Sequence, residues 1–367
     1  MIKKLQSWRD IIRRKIGIMI FDRPVTNSLY EQRGATVFVR WDAKLGDAIV
    51  SSWVAREIKK KYPMQKVIAI TSPDIAHLFR KYFKFDEVFC IPKRPSYNQL
   101  ASLASSLGNV DYLVHFSKSM KMKDMYFIKK TNPKHVIGID DDLQCVDIKL
   151  GKKTENVHFS IKFSEALKSM GVGEFDSKYI IPYFTEDEMK VREHWPKVPT
   201  ICFNPYGSGS SRVFNKENVL NLIDIMLAES DFNICLLYPP NQLEEIDRIM
   251  SMMSVASKER VFIYNQPPSL GALFAQVRAS VGMVSVDTAT VHISAGLGKP
   301  ILGIYNDNFG MPENKEWLPN CHNSKVLYVE TNMIQSVNYI NLDKFRAMFI
   351  MWSSLCISRK TLINNLF

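Results

Sequence analysis

The sequence predicts an α/β protein built from two doubly wound parallel sheets in tandem. Three observations point there. Short apolar runs of strand length alternate with segments of helical periodicity along the chain. The alternation pauses once, at residues 171–184, where Gly171, Gly173 and Pro182 fall, and then resumes. The chain has 367 residues, enough for two ordinary domains, and its 46% hydrophobic and 23% charged residues suit a packed globular protein.

The elements follow in order. Residues 1–24 read as a basic amphipathic helix, with Leu5, Trp8, Ile12 and Ile16 at helical spacing. Such a helix lies on a membrane surface or packs on the protein body. Strands are expected at 36–40, 66–71, 87–91, 110–115 and 134–139, with helices at 46–61, 73–82 and 96–107 between them. After the pause, strands are expected at 200–203, 233–238, 260–264, 279–285 and 301–305, with helices at 216–228, 242–253 and 288–297. This divides the chain into a basic N-terminal helix and extension, 1–33, an N-terminal domain, 34–180, and a C-terminal domain, 181–367. Two such domains in tandem leave a cleft, and open parallel sheets bind ligands beyond the carboxyl ends of their strands.

The formal net charge is +11, from 48 Lys and Arg against 37 Asp and Glu, which favours anionic partners. Residues 1–33 alone carry eight basic side chains (Lys3, Lys4, Arg9, Arg13, Arg14, Lys15, Arg23, Arg33) against Asp10, Asp22 and Glu31. The positive residues are not interleaved with aromatics and no nucleic-acid module is visible, so nucleic acid is not an expected partner. The six cysteines, Cys90, Cys145, Cys202, Cys235, Cys321 and Cys356, show no C-x-x-C pairing. Several sit in apolar runs, including Cys90 and Cys235, and are read as buried reduced thiols of a cytosolic protein. The apolar stretch at 16–21 is too short for a signal peptide, and the longest, near 347–357, is interrupted by Ser353 and Ser354. The expected location is cytoplasmic, with peripheral contact at the inner face of the membrane open.

Three stretches carry chemistry. In the first, an apolar strand ends in Arg40-Trp41-Asp42-Ala43-Lys44 and Leu45-Gly46-Asp47 opens a helix. Asp47 reads either as a first-turn carboxylate that stabilises the helix start or as a general base held ionised there. In the second, a strand runs into Asn204-Pro205-Tyr206-Gly207-Ser208-Gly209-Ser210-Ser211-Arg212. Small residues let backbone N–H groups approach a phosphate, and a guanidinium can pair with it. In the third, a strand leads directly into Asp287-Thr288-Ala289-Thr290-Val291-His292. The N–H groups opening that helix suit a diphosphate, whereas the structural alternatives are an Asp287 N-cap and a core His292.

Two further stretches have competing readings. Ser117-Lys118-Ser119 leads towards Lys121, Lys123, Lys129 and Lys130, either a solvated basic helix or a grip on acceptor phosphates and carboxylates. Asp140-Asp141-Asp142 is read as a surface turn rather than a metal-binding motif, and no metal site is expected.

Taken in this order, the three stretches resemble the ADP-heptose:lipopolysaccharide heptosyltransferases, glycosyltransferase family 9. Leu45-Gly46-Asp47, Asn204-Pro205-Tyr206-Gly207-Ser208 with Arg212-Val213-Phe214, and the run Asp287 to Pro300 carry the likeness. The resemblance implies a GT-B arrangement, two Rossmann-like domains facing a cleft, the first for the acceptor and the second for the nucleotide sugar. It implies inverting, metal-independent transfer of heptose from ADP-heptose to a hydroxyl of the lipopolysaccharide core, with no cofactor. Asp47 would be the base. Ser208, Arg212, Asp287, Thr288, Ala289, Thr290 and His292 would line the donor site, and Lys118 and Lys121 would face the acceptor. Departures from the family's pattern are Arg212 for Lys, Phe214 for Trp, Tyr206 and Ala289 for small residues, and Trp41-Asp42-Ala43-Lys44 for a Ser-rich turn. They leave open another nucleotide sugar or a protein acceptor. A catalytically silent GT-B-like binding protein is the alternative from another class.

Overall fold

The computed structural model describes residues 2–25, 34–264, 268–307, 313–330 and 335–364, with side chains described from residue 8 to 357 within these ranges except at 313 and 314. Glu31, Arg33 and the side chains of Lys3, Lys4 and Leu5 lie outside the described residues. The chain forms two compact units, Met1–Ile180 and Ile181–Phe367.

In the first unit the order is α1 (Ile2–Phe21), β1 (Ala35–Arg40), α2 (Leu45–Val50), α3 (Val54–Lys61), β2 (Val67–Thr71), α4 (Pro73–Lys81) and β3 (Glu87–Cys90). Then come α5 (Tyr97–Leu107), β4 (Val110–His115), α6 (Met122–Thr131), β5 (His135–Gly138), β6 (Ile148–Lys149) and α7 (Phe159–Ser169). The six strands lie in the order β3-β2-β1-β4-β5-β6, and every pairing is parallel. β1 is buried along its whole length, as a central strand covered on both faces must be.

In the second unit the order is α8 (Thr185–His194), β7 (Thr200–Asn204), α9 (Lys216–Ala228), β8 (Asn233–Leu236), α10 (Leu243–Met252), α11 (Val255–Arg260) and β9 (Val261–Phe262). It continues with α12 (Leu270–Ala279), β10 (Gly282–Val286), α13 (Ala289–Gly296), β11 (Ile301–Asn306), α14 (Glu313–Glu316), β12 (Ser324–Val329) and α15 (Leu342–Asn364). Its strands lie in the order β12-β11-β10-β7-β8-β9, again all parallel. Renumbered from its own first strand, this sheet repeats the order of the first. Each reverses direction between its first and fourth strands, β1/β4 and β7/β10, and that reversal is where doubly wound sheets bind ligands.

The differences from the sequence reading have local causes. The helix expected over 46–61 is two helices, because Ser51 intervenes. Its hydroxyl donates to the Asp47 and Ala48 carbonyls at 3.0 and 3.2 Å, and Trp53 Nε1 donates to the Val50 carbonyl at 3.1 Å. The strand expected from Ala279 begins at Gly282, since Ala279 closes α12. Cys90, expected buried, is exposed because β3 is the edge strand. Cys145, Cys202, Cys235 and Cys356 are buried free thiols, and burial, reinforced by the charge of Asp22, pushes Cys145 up to about 12.

The Asp140–Asp142 turn is not wholly at the surface. Asp140 is buried, takes both Nη groups of Arg14 at 2.7 and 3.0 Å and accepts the Met120 N–H at 2.7 Å. Asp141 accepts the Gly151 and Lys152 N–H groups, each at 2.8 Å. Through Arg14 this turn ties α1 to the first sheet. Among the described residues, no helix is long and apolar enough to cross a membrane.

Candidate active site

The carboxyl edge of β1 carries Asp47. As the third residue of α2, it accepts the Lys44 backbone N–H at 3.1 Å, so it does stabilise the helix start. It also faces a cation that sequence reasoning passed over. Arg40, the last residue of β1, places Nη2 3.1 Å from the Asp47 carbonyl and 3.7 Å from its Oδ1. The guanidinium lies 5.3 Å from the Phe163 ring centroid and 5.8 Å from that of Phe159. Side-chain exposure is 6% for Arg40 and 27% for Asp47, so the buried partner fixes the accessible one. The signal was a charged residue ending a largely apolar strand.

Trp41 does not enter this edge. It packs into the core, edge-on to His115 and Phe127. Beyond β4, Lys118 and Lys121 are exposed, and the Lys121 N–H donates to Asp124 Oδ2 at 2.7 Å as α6 begins. Lys123 and Lys129 turn elsewhere, onto the carbonyls of Pro95 and Ile20.

In the second unit the loops after β7 and β10 meet. Arg212 Nη1 lies 2.8 Å from Asp287 Oδ2, with side-chain exposures of 43% and 15%. Asp287 is not the N-cap of α13; Thr288 is, and the Asp287 carboxylate pairs with Arg212. The β7 loop folds back on itself, with the Gly207 N–H donating to the Arg212 carbonyl at 2.8 Å. Only glycine fits there. A Cβ on Gly207 would come 2.6 Å from Arg212 Cβ and 2.8 Å from its carbonyl oxygen.

Beneath the loop, Asn204 Nδ2 donates to Thr290 Oγ1 at 3.0 Å, and Thr290 Oγ1 lies 2.8 Å from Ser285 Oγ. The Thr290 hydroxyl is therefore buried and engaged, so only its backbone can serve an anion. Thr288 and Ala289 are half-buried at the helix mouth and Ser208 is exposed on the loop. The first-turn N–H groups of any helix lack intrahelical acceptors. His292 is buried, its ring edge-on to Trp317 at 5.8 Å. Tyr206 fills the core of the unit, and burial raises its hydroxyl to about 12.

A cavity of about 280 Å³ opens on the same edge, beyond β8 and β9, lined by Leu237, Tyr238, Pro239, Tyr264, Leu270 and Leu273. Sequence reasoning did not find it, because its walls come from two loops and a helix without a shared motif. The sheet order places it beside the β7 loop.

The comparisons with known proteins agree with this architecture. The family model described as glycosyltransferase family 9 (heptosyltransferase) matches residues 129–338, more than half of the chain. A protein of Escherichia coli (strain K12), provisionally named lipopolysaccharide heptosyltransferase 4, is 22% identical over 347 residues, spanning 92% of this chain and 93% of its own. A glycosyl transferase family 9 structure from Veillonella parvula DSM 2008 has a TM-score of 0.69 at 15% identity and covers 90% of this chain and 100% of that one. E. coli ADP-heptose lps heptosyltransferase II gives 0.65 at 14% identity, covering 89% and 99%. E. coli heptosyltransferase WaaC with ADP gives 0.60 at 14%, covering 87% and 99%. The two parallel sheets are those of the heptosyltransferase structures, and the chain belongs to the heptosyltransferases of glycosyltransferase family 9.

Proposed function

We propose that the chain moves heptose from ADP-heptose to a hydroxyl of the lipopolysaccharide core, with inversion and without a metal ion. The observation that carries this reading is the Arg212–Asp287 pair, where the β7 loop meets the mouth of α13. A cation fixed beside helix N–H groups suits a diphosphate. The names of the E. coli relatives supply ADP as the nucleotide and lipopolysaccharide as the acceptor.

Each residue then has a task. Asp287 aims Arg212, leaving its other N–H groups for the diphosphate. The backbone of Thr288, Ala289 and Thr290 takes the phosphate oxygens, and Ser208 closes the loop side. The cavity beyond β8 and β9 takes the nucleoside, its apolar walls suiting a base. His292 supports the sugar end. Asp47, in the acceptor-binding unit, takes the proton from the attacking hydroxyl, and Lys118 and Lys121 hold the anionic acceptor. The hydroxyl oxygen bonds to the anomeric carbon as the bond to the departing ADP breaks, and that carbon inverts. Negative charge growing on the diphosphate is met by Arg212 and the α13 helix mouth.

The test is transfer from ADP-heptose to truncated lipopolysaccharide core, with the product anomer read by NMR, with and without EDTA. Inverted product at an EDTA-insensitive rate is expected. Retention, or loss of turnover restored by a divalent cation, would overturn the mechanism. Transfer only from another nucleotide sugar would overturn the donor.

A further inference from the structure

The helix α1 is held on one side and open on the other. Its inner side is fixed by Arg14 on Asp140 and the Met120 carbonyl, and by Asp22, which accepts the Cys145 N–H at 2.8 Å. Gly17 lets it approach α6 closely, since a Cβ there would come 2.8 Å from Met122 Cα. Phe21 packs edge-on against Tyr126 at 5.4 Å.

The opposite side is apolar and exposed. Trp8, Ile11, Ile12, Ile16, Met19 and Ile20 recur at three- and four-residue spacing on it, Trp8 71% and Met19 68% accessible. Core packing cannot explain these residues, because the core side of the helix is already filled. Contiguous apolar surface of this kind marks an interaction site. Its cations choose the partner. Arg9 and Arg13 lie along one margin of the stripe, Lys15 sits on its other side between Ile11 and Trp8, and Arg23 follows its end, all exposed.

We propose that the outer face of α1 seats the protein on anionic lipid bilayers, the apolar stripe entering the headgroup boundary and the flanking cations meeting lipid phosphates. A rigidly held helix with a tryptophan on an apolar face and cations beside it has the form of an interfacial anchor. Vesicle binding by this face needs neither donor nor acceptor, so its failure leaves the transferase reading untouched.

The full chain is sedimented with vesicles of phosphatidylcholine alone and with one-third phosphatidylglycerol. Binding to the anionic vesicles is expected, falling as salt is raised. Ile12→Glu/Ile16→Glu, both at exposed positions, is expected to abolish it while circular dichroism and Tm stay unchanged. Arg9→Gln/Arg13→Gln is expected to weaken binding roughly 25-fold, about fivefold for each basic residue near the surface. Anionic binding unaltered in both variants would overturn the assignment. So would no binding to any vesicle at low salt. Sedimentation velocity supplies a third arm. A dimer of the wild type that Ile12→Glu/Ile16→Glu converts to monomer, with no vesicle binding, would assign the face to a second copy instead.

Discussion

The two sheets share one strand order yet present opposite charge at their points of reversal. After β1, a buried cation, Arg40, stands 3.7 Å from an accessible carboxylate, Asp47. After β7 and β10, a largely buried carboxylate, Asp287, holds an accessible cation, Arg212, at 2.8 Å. In each pair the buried member is the support and the exposed member faces the solvent edge. Topology fixes where a ligand can meet the chain, and the side chain left exposed decides which charge it meets. A presented carboxylate suits removal of a proton, and a presented guanidinium suits a diphosphate.

The largest effect that tests this contrast is at Asp47. Asp47→Ala should lower turnover by roughly 10²–10⁴-fold, the usual contribution of a general base, while ADP affinity stays unchanged. Steady-state transfer and calorimetric titration read the two quantities separately. Arg212→Ala should act the other way. Loss of a charge-assisted bond of about 1.5–3 kcal/mol weakens ADP binding by roughly 10–100-fold. An unchanged ADP affinity there would remove Arg212 from the donor site. Thr290→Val keeps the shape but strands the buried Asn204 amide N–H, while the Ser285 hydroxyl keeps the Val286 carbonyl at 2.8 Å. It should cost about 1–3 kcal/mol of stability in denaturant melts. Arg40→Lys should have the smallest effect. It keeps the charge beside Asp47 but loses the forked geometry between Phe159 and Phe163, so kcat should fall by less than tenfold with KM unmoved, whereas Arg40→Met should lower kcat further.

Much of the fold was legible because parallel strands buried on both faces write themselves as continuous apolar runs. β1, β7 and β11 are of this kind. β6 was missed because it is two residues long, Ile148–Lys149, and β12 because only Leu327 and Val329 of its six side chains are buried at the sheet edge. The site's parts were legible where a motif is contiguous, as at Asp47, Arg212 and Asp287. What joins them was not. The Arg212–Asp287 pair spans loops far apart in sequence, and nothing in the sequence ties Asn204 to Thr290 or Asp140 to Arg14. The same limit hid Arg40, whose importance lies in the rings of α7 that enclose it. It also hid the fact that Asp140 is buried.

The most direct test of the central claim is calorimetric titration of the chain, wild type and Arg212→Ala, with ADP, UDP and GDP in the presence of EDTA. The account predicts tight, EDTA-insensitive binding of ADP, weaker binding of UDP and GDP, and loss of ADP affinity in the variant. Absence of ADP binding, or ADP affinity untouched by Arg212→Ala, would contradict it.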